Sequence, residues 1–378
     1  MIHRKETAEV LGRLAELEAA GRRAALATVV RIAGSAYRRP GAKFLVEESG
    51  DTLGSVSGGC LEADVREVAR GVLAGGAARL LQYDTGSGDE TVWGLGLGCE
   101  GQVEVSVQAA TEGPLAEAAP RLREILAGED ALAVATVLEE NGSESGAPDH
   151  PILLLPAGGA AEGSLSSAEL DRLAAETARR RIASGRSGVE TVGGRRVFFD
   201  VLQAPRHLLI LGAGDDARPL AAYAADAGFR VTVADHRPAL LAPGRFPEAP
   251  ATVTTVRARP EEEPPPELAR ILSGEEITPR AMAVVMTHSL AHDREWVRRL
   301  LAAGLAYVGV LGPRARTGAL LAELEAEDDP RVFAPVGLDL GADGPHQVAF
   351  AVVAELLAVL SGREPRHLAE RREAIHAG

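Results

Sequence analysis

Aromatic residues are scarce in this sequence of 378 residues, and basic residues are fewer than acidic ones. Aromatic residues make up 3% of the chain, too few to supply the stacking platforms that bind single-stranded nucleic acid. Acidic residues outnumber basic ones by 54 to 40, which gives a net charge of −14, and such a surface repels a phosphate backbone. We therefore expect no nucleic-acid partner.

Long hydrophobic runs are absent as well. No stretch reaches the roughly 18 apolar residues that a transmembrane helix needs, and the first residues, Met1–Glu6, lack the apolar core of a signal peptide. We expect a cytoplasmic protein with no membrane partner.

Cysteine is nearly absent, since Cys60 and Cys99 are the only two. Without a C-x-x-C spacing, neither a zinc site of that kind nor a disulfide scaffold is indicated. Both cysteines lie in glycine-rich segments, and Gly58 and Gly59 would let a ligand approach the backbone beside Cys60. A helix is predicted from Leu61, and its dipole would favour the thiolate of Cys60. Buried inert cysteines, a soft-metal or sulfur site and a reversible disulfide all remain open.

The chain length predicts two domains, at about 100–200 residues each. Composition changes near Gln203-Ala204-Pro205, so we expect one domain over residues 1–203 and another over 204–378. The first is predicted to be a mixed α/β domain. From His207 onward strands alternate with helices, which predicts a Rossmann-like, doubly wound parallel sheet. No internal repeat is apparent.

A dinucleotide-binding fingerprint marks the second domain. Gly212 and Gly214 follow a predicted strand and precede a helix, and Asp235 ends the next strand about 20 residues later. Asp215 and Asp216 stand where the helix would meet a pyrophosphate, and their carboxylates would cap its N–H groups and repel that anion. The fingerprint therefore predicts the fold and leaves open whether a nucleotide is bound.

Two further clusters follow predicted strands of that sheet. His288 and His292 are spaced like metal ligands on one helix face, or are exposed side chains beside a helix capped by Ser289. Arg314 and Arg316 suit an anionic ligand such as phosphate, or form a solvated helix start. Both clusters lie at the carboxyl end of the sheet, where such folds bind ligands.

Several motifs together resemble the XdhC/CoxI family, the accessory proteins of xanthine dehydrogenase and carbon monoxide dehydrogenase. The motifs of the first half are Gly34–Lys43 (GSAYRRPGAK), Gly54–Glu62 (GSVSGGCLE) and Trp93–Gly101 (WGLGLGCEG). In the second half the resemblance is carried by the glycine fingerprint, Asp235–Pro238, Thr287-His288 with Asp293, Tyr307–Arg314 and Pro335–Gly341. It spans nearly the whole chain.

This resemblance implies a molybdenum-cofactor chaperone rather than an enzyme. Such a protein binds the molybdopterin form of the cofactor transiently and holds it while a cysteine desulfurase adds the sulfido ligand. It then delivers the cofactor to an apo molybdenum hydroxylase of the xanthine or carbon monoxide dehydrogenase type. The family members are typically homodimers, and the family cysteine implicated in cofactor binding corresponds to Cys60.

The candidate site residues follow from the motifs and the resemblance. Cys60 is the expected metal ligand. Cations at Arg31, Arg38, Arg39 and Lys43 would meet the anionic cofactor. The full set of expected cofactor-binding residues is Cys60, Gly58, Gly59, Arg38, Arg39, Cys99, Gly212, Gly214, Asp235, His288 and Arg314, the last five for a nucleotide in the second domain.

Two alternatives compete with this interpretation. An NAD(P)-dependent oxidoreductase would use the Rossmann-like domain, with His288 as acid or base, but it explains neither cysteine. A binding module without chemistry would lose no function when Cys60 is replaced by alanine.

Overall fold

The computed structural model describes residues 2–34, 37–84, 101–138, 150–246, 253–274 and 277–371. The chain divides into two compact units, Met1–Ala204 and Pro205–Gly378. In the part of the chain that the structure describes, no helix has the length and hydropathy needed to cross a membrane.

The first unit contains two five-stranded sheets. Its elements in chain order are α1 (Ile2–Ala19), β1 (Ala24–Gly34), β2 (Lys43–Glu47), β3 (Thr52–Gly54), α2 (Glu62–Leu73), β4 (Arg79–Asp84), β5 (Gly101–Ala109), α3 (Gly113–Ala127), β6 (Leu132–Val137), β7 (Ile152–Pro156), β8 (Glu162–Gly163), α4 (Ala168–Ser184), β9 (Gly188–Val192) and β10 (Arg195–Leu202). The sheets have the strand orders β3-β2-β1-β5-β4 and β8-β7-β6-β10-β9. Every strand pairing in them is antiparallel.

The two sheets repeat one topology. Each is preceded by a helix, α1 or α3, and in each a second helix, α2 or α4, connects the third strand to the fourth. We call residues 2–109 the first repeat and residues 113–202 the second repeat. The expectation of no internal repeat is therefore wrong, because the repetition lies in topology more than in residue identity.

The repeats share a common core. In β1, Ala25, Ala27 and Val29 pack with α2, while Ala24 and Leu26 face the opposite way, as the alternation of a strand requires. The second repeat likewise packs its sheet on α4. The apolar residues of α1 and α3 join the other faces of both sheets in one cluster, so each sheet is covered on both faces.

The second unit is built on a parallel sheet. Its elements are β11 (Arg206–Leu211), α5 (Ala217–Asp226), β12 (Phe229–Asp235), β13 (Val253–Arg257), α6 (Pro266–Leu272), β14 (Ala281–Val285), α7 (Leu290–Ala303), β15 (Tyr307–Val310), α8 (Arg314–Glu323), β16 (Val332–Phe333) and α9 (Pro345–Ser361), with short 3₁₀ turns between some of them. The strand order is β13-β12-β11-β14-β15-β16, all parallel. This is the doubly wound order, and the predicted fold class is confirmed.

Some element bounds differ from those that the residue pattern predicts. The spacing of Leu11, Leu14 and Leu17 predicts a helix over residues 6–21, but α1 begins earlier, at Ile2. The pattern also predicts a helix over residues 121–127, but α3 begins earlier, at Gly113, and carries Pro120 inside it. Strands β7 and β13 were not predicted, because their apolar runs are short and stand beside proline- and glycine-rich segments.

Candidate cofactor-binding site

Cys60 lies on the loop between β3 and α2 and is exposed. The two preceding residues, Gly58 and Gly59, have φ angles of +94° and +123°, a region that glycine adopts at little cost. Because α2 begins only at Glu62, Cys60 stands outside the helix. The thiol is thus presented on a glycine loop at the N-terminal end of α2.

The carboxylate of Glu62 accepts hydrogen bonds from most of this loop. Its backbone N–H donors, at 2.9–3.2 Å, are Val56, Ser57, Gly58, Gly59 and Leu61. The hydroxyl groups of Ser55, at 2.7 Å, and of Ser57 also donate to it. Burial raises the pKa of Glu62, but these hydrogen bonds outweigh it and lower the pKa from 4.5 to about 2. The sequence pattern does not predict this role of Glu62, because a single acid in a motif does not reveal how many N–H groups surround it.

An exposed aromatic ring stands beside the same loop. Tyr37 is 73% exposed, which is unusual for so large an apolar ring. A Cβ atom added to Gly58 would lie 3.1 Å from Cδ1 of Tyr37, so the ring lies directly against the Gly58 backbone. Tyr37 and Cys60 therefore belong to one surface, although of the two only the cysteine was expected to bind the cofactor.

Three glycines from the motifs of the first half lie at the same end of the first sheet. Gly34 pairs with Gly101 across β1 and β5. A Cβ on Gly54 would collide with the carbonyl oxygen of Lys43 in the adjacent strand. The antiparallel arrangement thus places Gly34, Gly54 and Gly101 at one end of the sheet. Cys99 lies outside the described residues, and its role stays a prediction.

The predicted cations around the loop have partners within the first unit. Arg38 pairs with Glu6 at 2.6 Å, and Arg31 pairs with Glu104 at 2.9 Å. Arg39 is not free of partners either. For Arg38 and Arg39, a role in cofactor binding stays a prediction and requires exchange of these partners.

Lys43 has a different role from the one expected. Its ammonium group donates to Asp200 of β10 at 2.5 Å, and both side chains are less than a tenth exposed. It also donates to the Gly41 carbonyl oxygen at 3.0 Å. A buried charge needs such a partner. Lys43 therefore ties the two sheets together and does not offer a surface cation, so that expectation is wrong.

The second repeat contains an equivalent loop without the cysteine. Gly54-Ser55-Val56-Ser57 corresponds to Gly163-Ser164-Leu165-Ser166, and Leu61-Glu62 corresponds to Leu170-Asp171. A Cβ on Gly163 would collide with the Ile152 carbonyl oxygen just as one on Gly54 would collide with that of Lys43. Ser164 Oγ and the Leu165 N–H donate to the Asp171 carboxylate at 2.8 and 2.6 Å. The positions that match Gly58, Gly59 and Cys60 are Ser167, Ala168 and Glu169.

In the second unit, the glycine turn is shaped by the neighbouring strand. Gly212 has a φ angle of +117°, and a Cβ there would collide with the carbonyl oxygen of Met286. The imidazole Nε2 of His288 lies 3.4 Å from where a Cβ of Gly214 would be. The structure thus brings Gly212, Gly214 and His288 together at the carboxyl edge of the parallel sheet.

Asp235 is also at this edge, but its carboxylate is already fully engaged. Oδ2 accepts from the Ala213 N–H and from the Arg237 guanidinium, both at 2.8 Å. Oδ1 accepts from the Arg237 N–H at 2.8 Å and from its Nε at 3.0 Å. Burial raises the pKa of Asp235, but the hydrogen bonds of Arg237 and Ala213 outweigh it and lower the pKa to about 2. A ribose hydroxyl would have to displace one of these donors.

Two other expectations for the second unit are wrong. Asp216 is the N-cap residue of α5 but makes no side-chain capping bond, and the exposed Asp215 pairs with Arg245 at 3.1 Å. Neither therefore caps the helix as expected. His288 lies before the N-cap Ser289 with a φ angle of +63°, so it cannot share a helix face with His292.

The capping role predicted for Ser289 is confirmed, since its hydroxyl accepts from the His292 N–H at 3.4 Å. Asp293 accepts from Thr287 Oγ1 at 2.6 Å and from Arg316 at 2.5 Å. Arg316 is therefore part of an internal network. Arg314, at the start of α8, is exposed, and its ligand role stays a prediction. Within the described residues, no three His, Cys, Asp or Glu side chains are grouped to hold a metal ion.

Fold and site together define a two-unit α/β protein that presents one thiol on a glycine loop and carries a Rossmann sheet. Comparison with known proteins agrees with this class. The model of the XdhC and CoxI family matches residues 17–84, and that of the XdhC Rossmann domain matches residues 208–356. The chain belongs to the XdhC and CoxI family.

Individual relatives extend the comparison. A protein of Bacillus subtilis named as a probable xanthine dehydrogenase subunit is 32% identical over 342 residues, which cover 88% of this chain and 92% of the relative. The molybdenum cofactor insertion chaperone PaoD of Escherichia coli is 42% identical over 67 residues, 18% of this chain and 21% of the relative. A crystal structure named as a xanthine dehydrogenase from Bacillus halodurans superposes with a TM-score of 0.72 at 27% identity, covering 97% of this chain and 98% of that one.

Proposed function

We propose that this protein is an accessory factor that binds the molybdenum cofactor at the Cys60 loop and hands it to a xanthine dehydrogenase-type hydroxylase. The observation that carries the proposal is the exposed thiol on a preshaped glycine loop with an exposed tyrosine ring beside it. Membership of the XdhC and CoxI family, with one relative named for cofactor insertion, supports the same role.

The residues of the loop suit this cargo chemically. A cysteine thiolate is a soft ligand and a nucleophile, so it matches molybdenum and sulfur chemistry. The ring of Tyr37 offers a flat surface on which the pterin would stack, an interaction worth about 1–3 kcal/mol for aromatic bases. Gly58 and Gly59 have no side chains to keep a ligand from the backbone.

The exposure of the loop fits a carrier better than an enzyme. An active site usually buries most of its ligand in a concave pocket, whereas Cys60 stands in the open. We infer that the bound cofactor is held for sulfuration by a cysteine desulfurase and then released to the apo-hydroxylase. That the protein works as a cytoplasmic homodimer is a further part of the proposal, which rests on the family alone.

A nucleotide in the Rossmann unit is not part of this proposal. The fingerprint predicts that Asp235 binds the ribose, but its carboxylate already accepts hydrogen bonds from Arg237 and Ala213. An oxidoreductase that used this unit would also leave the Cys60 loop without a role.

The proposal is tested by analysing molybdenum and pterin in protein purified anaerobically from a host that makes the cofactor. We expect near-stoichiometric molybdenum and pterin in the unmodified protein and neither in Cys60→Ala. Absence of both from the unmodified protein, with nicotinamide nucleotide copurifying instead, would reject the proposal.

A further inference from the structure

We propose that Glu62 is the positioning residue for Cys60. Its carboxylate stabilises a loop at positions where the second repeat has already begun its helix. This inference rests on the proposed function, because it concerns how the thiol is presented to the cofactor. Its structural basis is the difference between two loops of the same chain.

The second repeat has the start of α4 where the first repeat has the cysteine loop. Helix α4 begins at Ala168, capped by the Ser167 hydroxyl, which accepts from the Leu170 N–H at 3.2 Å. The matching position in the first repeat is Gly59, but α2 does not begin until Glu62. The fold therefore allows a helical start here, and the first repeat does not use it.

Backbone N–H groups before and at the start of a helix have no acceptor within that helix. Glu62 supplies one in the first repeat, because its two oxygens receive five N–H groups of the loop in addition to two serine hydroxyls. Hydrogen bonds to an ionised carboxylate are stronger than neutral ones. The loop is therefore held by an internal anion and does not need a ligand to keep its shape.

The length of the acidic side chain determines how many of these hydrogen bonds can form. Asp171 occupies the equivalent position with one methylene less, and it accepts from the Ser164 hydroxyl and the Leu165 N–H. These two donors correspond to Ser55 and Val56, which donate to Glu62, so both repeats have this pair of hydrogen bonds. The contacts to Ser57, Gly58, Gly59 and Leu61 belong to the first repeat, and they are the ones that flank Cys60.

Cys60 itself stays outside this network. Among the described contacts, its N–H is the one between Val56 and Leu61 that does not donate to Glu62. Glu62 thus immobilises the residues on both sides of the cysteine while the thiol remains exposed. We infer that a cofactor meets a preorganised thiol, which lowers the ordering cost of binding.

Hydrogen exchange tests, without any cofactor, whether Glu62 stabilises the loop. We compare Glu62→Gln with Asp171→Asn, the same type of change at the equivalent position. In Glu62→Gln we expect the amides of residues 56–61 to exchange about tenfold faster, since a lost hydrogen bond to a charged group has this scale. The amides of residues 65–73 should be unchanged, and so should residues 56–61 in Asp171→Asn. Unchanged exchange at residues 56–61 in Glu62→Gln would overturn the inference.

Retention of the cofactor tests whether binding needs the thiol to be preorganised by Glu62. In protein from a cofactor-producing host, we expect Glu62→Gln to retain less than about a tenth of the unmodified protein's pterin, by the same scale. Asp171→Asn should retain it all. A cooperative unfolding transition would show that Glu62→Gln is folded. Glu62→Asp, which keeps the charge but not the reach, should behave like Glu62→Gln. Full retention of pterin by Glu62→Gln would overturn this inference but not the proposed function. No pterin in the unmodified protein would reject the proposed function, and the positioning role with it.

Discussion

The two repeats of the first unit place the same glycine, serines, leucine and acid around the start of a helix. In the second repeat α4 is capped in the ordinary way, with Ser167 at the N-cap position and Asp171 in the first turn. In the first repeat Gly58-Gly59-Cys60 replace this helical start, and Glu62 accepts the N–H groups of both glycines. The two loops thus share the residues on either side and differ mainly at the positions that carry the thiol.

This difference separates residues that build the fold from residues that serve its chemistry. Gly54 and Gly163 are required by the close approach of a neighbouring carbonyl oxygen in both repeats. Val56 and Leu165, and Leu61 and Leu170, are buried in both. Gly58, Gly59 and Cys60 have no such shared task, so their presence in the first repeat needs a functional reason.

Grafting the second repeat's residues onto the first should have the largest effect. The triple substitution Gly58→Ser, Gly59→Ala and Cys60→Glu lets α2 begin earlier and removes the thiol. We expect retention of molybdenum and pterin to be lost, while the free energy of unfolding stays equal or rises by up to about 1 kcal/mol because glycines are removed. Metal and pterin analysis with urea unfolding measures both. Pterin retained by the triple variant would show that the loop is not the binding site.

Backbone strain gives the next largest difference. Gly59 has a φ angle of +123° and open space around it, so Gly59→Val meets no steric neighbour but strains the backbone. We expect a loss of about 1–3 kcal/mol in the free energy of unfolding, or rearrangement of the loop. The matched change Ala168→Val lies in the first turn of α4 and should lose less than about 1 kcal/mol. Equal losses in the two variants, measured by urea unfolding, would contradict the assigned loop conformation.

The shared serines should behave alike. Ser55 and Ser164 donate to Glu62 and Asp171 at 2.7 and 2.8 Å. Replacing either with alanine removes one hydrogen bond to a carboxylate, so we expect each variant to lose about 1–2 kcal/mol of unfolding free energy. Both are measured by thermal and urea unfolding. A difference of several-fold between them would show that the loops do not share this part of the scaffold.

Acid should weaken the Cys60 loop, and with a defined sign. The pKa of Glu62 lies at about 2, below its ordinary value of 4.5. Its stabilising effect is therefore complete above pH 4.5 and is lost as pH falls through about 2. Hydrogen exchange of residues 56–61, corrected for intrinsic rates, should rise in that window in the unmodified protein. In Glu62→Gln the corrected rates should show no such step, and a matching step there would assign the effect to another group.

Much of the second unit could be predicted from the sequence because its signals are local. An apolar run followed by glycines and a helix specifies the first strand and turn, and the parallel sheet follows from the alternation of strands and helices. What could not be predicted there depends on side-chain partners. The saturation of Asp235 by Arg237 and the internal role of Arg316 emerge only when the side chains are placed.

In the first unit the sequence indicated the thiol loop but not the scaffold that holds it. The repeats share few identical residues, and these are spread over loops where spacing has no period. Lys43 looked like a surface cation because its partner, Asp200, lies far along the chain. Glu62 and Tyr37 were missed for a different reason, since one acts through backbone N–H groups and the other through contact with a glycine.

The Cys60 loop is tested most directly as the cofactor site by binding isolated cofactor to purified protein under anaerobic conditions. Bound pterin is measured by fluorescence after gel filtration. Cys60→Ala is compared with Glu169→Ala, its equivalent in the second repeat. We expect Glu169→Ala to bind as much pterin as the unmodified protein and Cys60→Ala to bind almost none. Equal binding by both variants would contradict the claim that the Cys60 loop holds the cofactor.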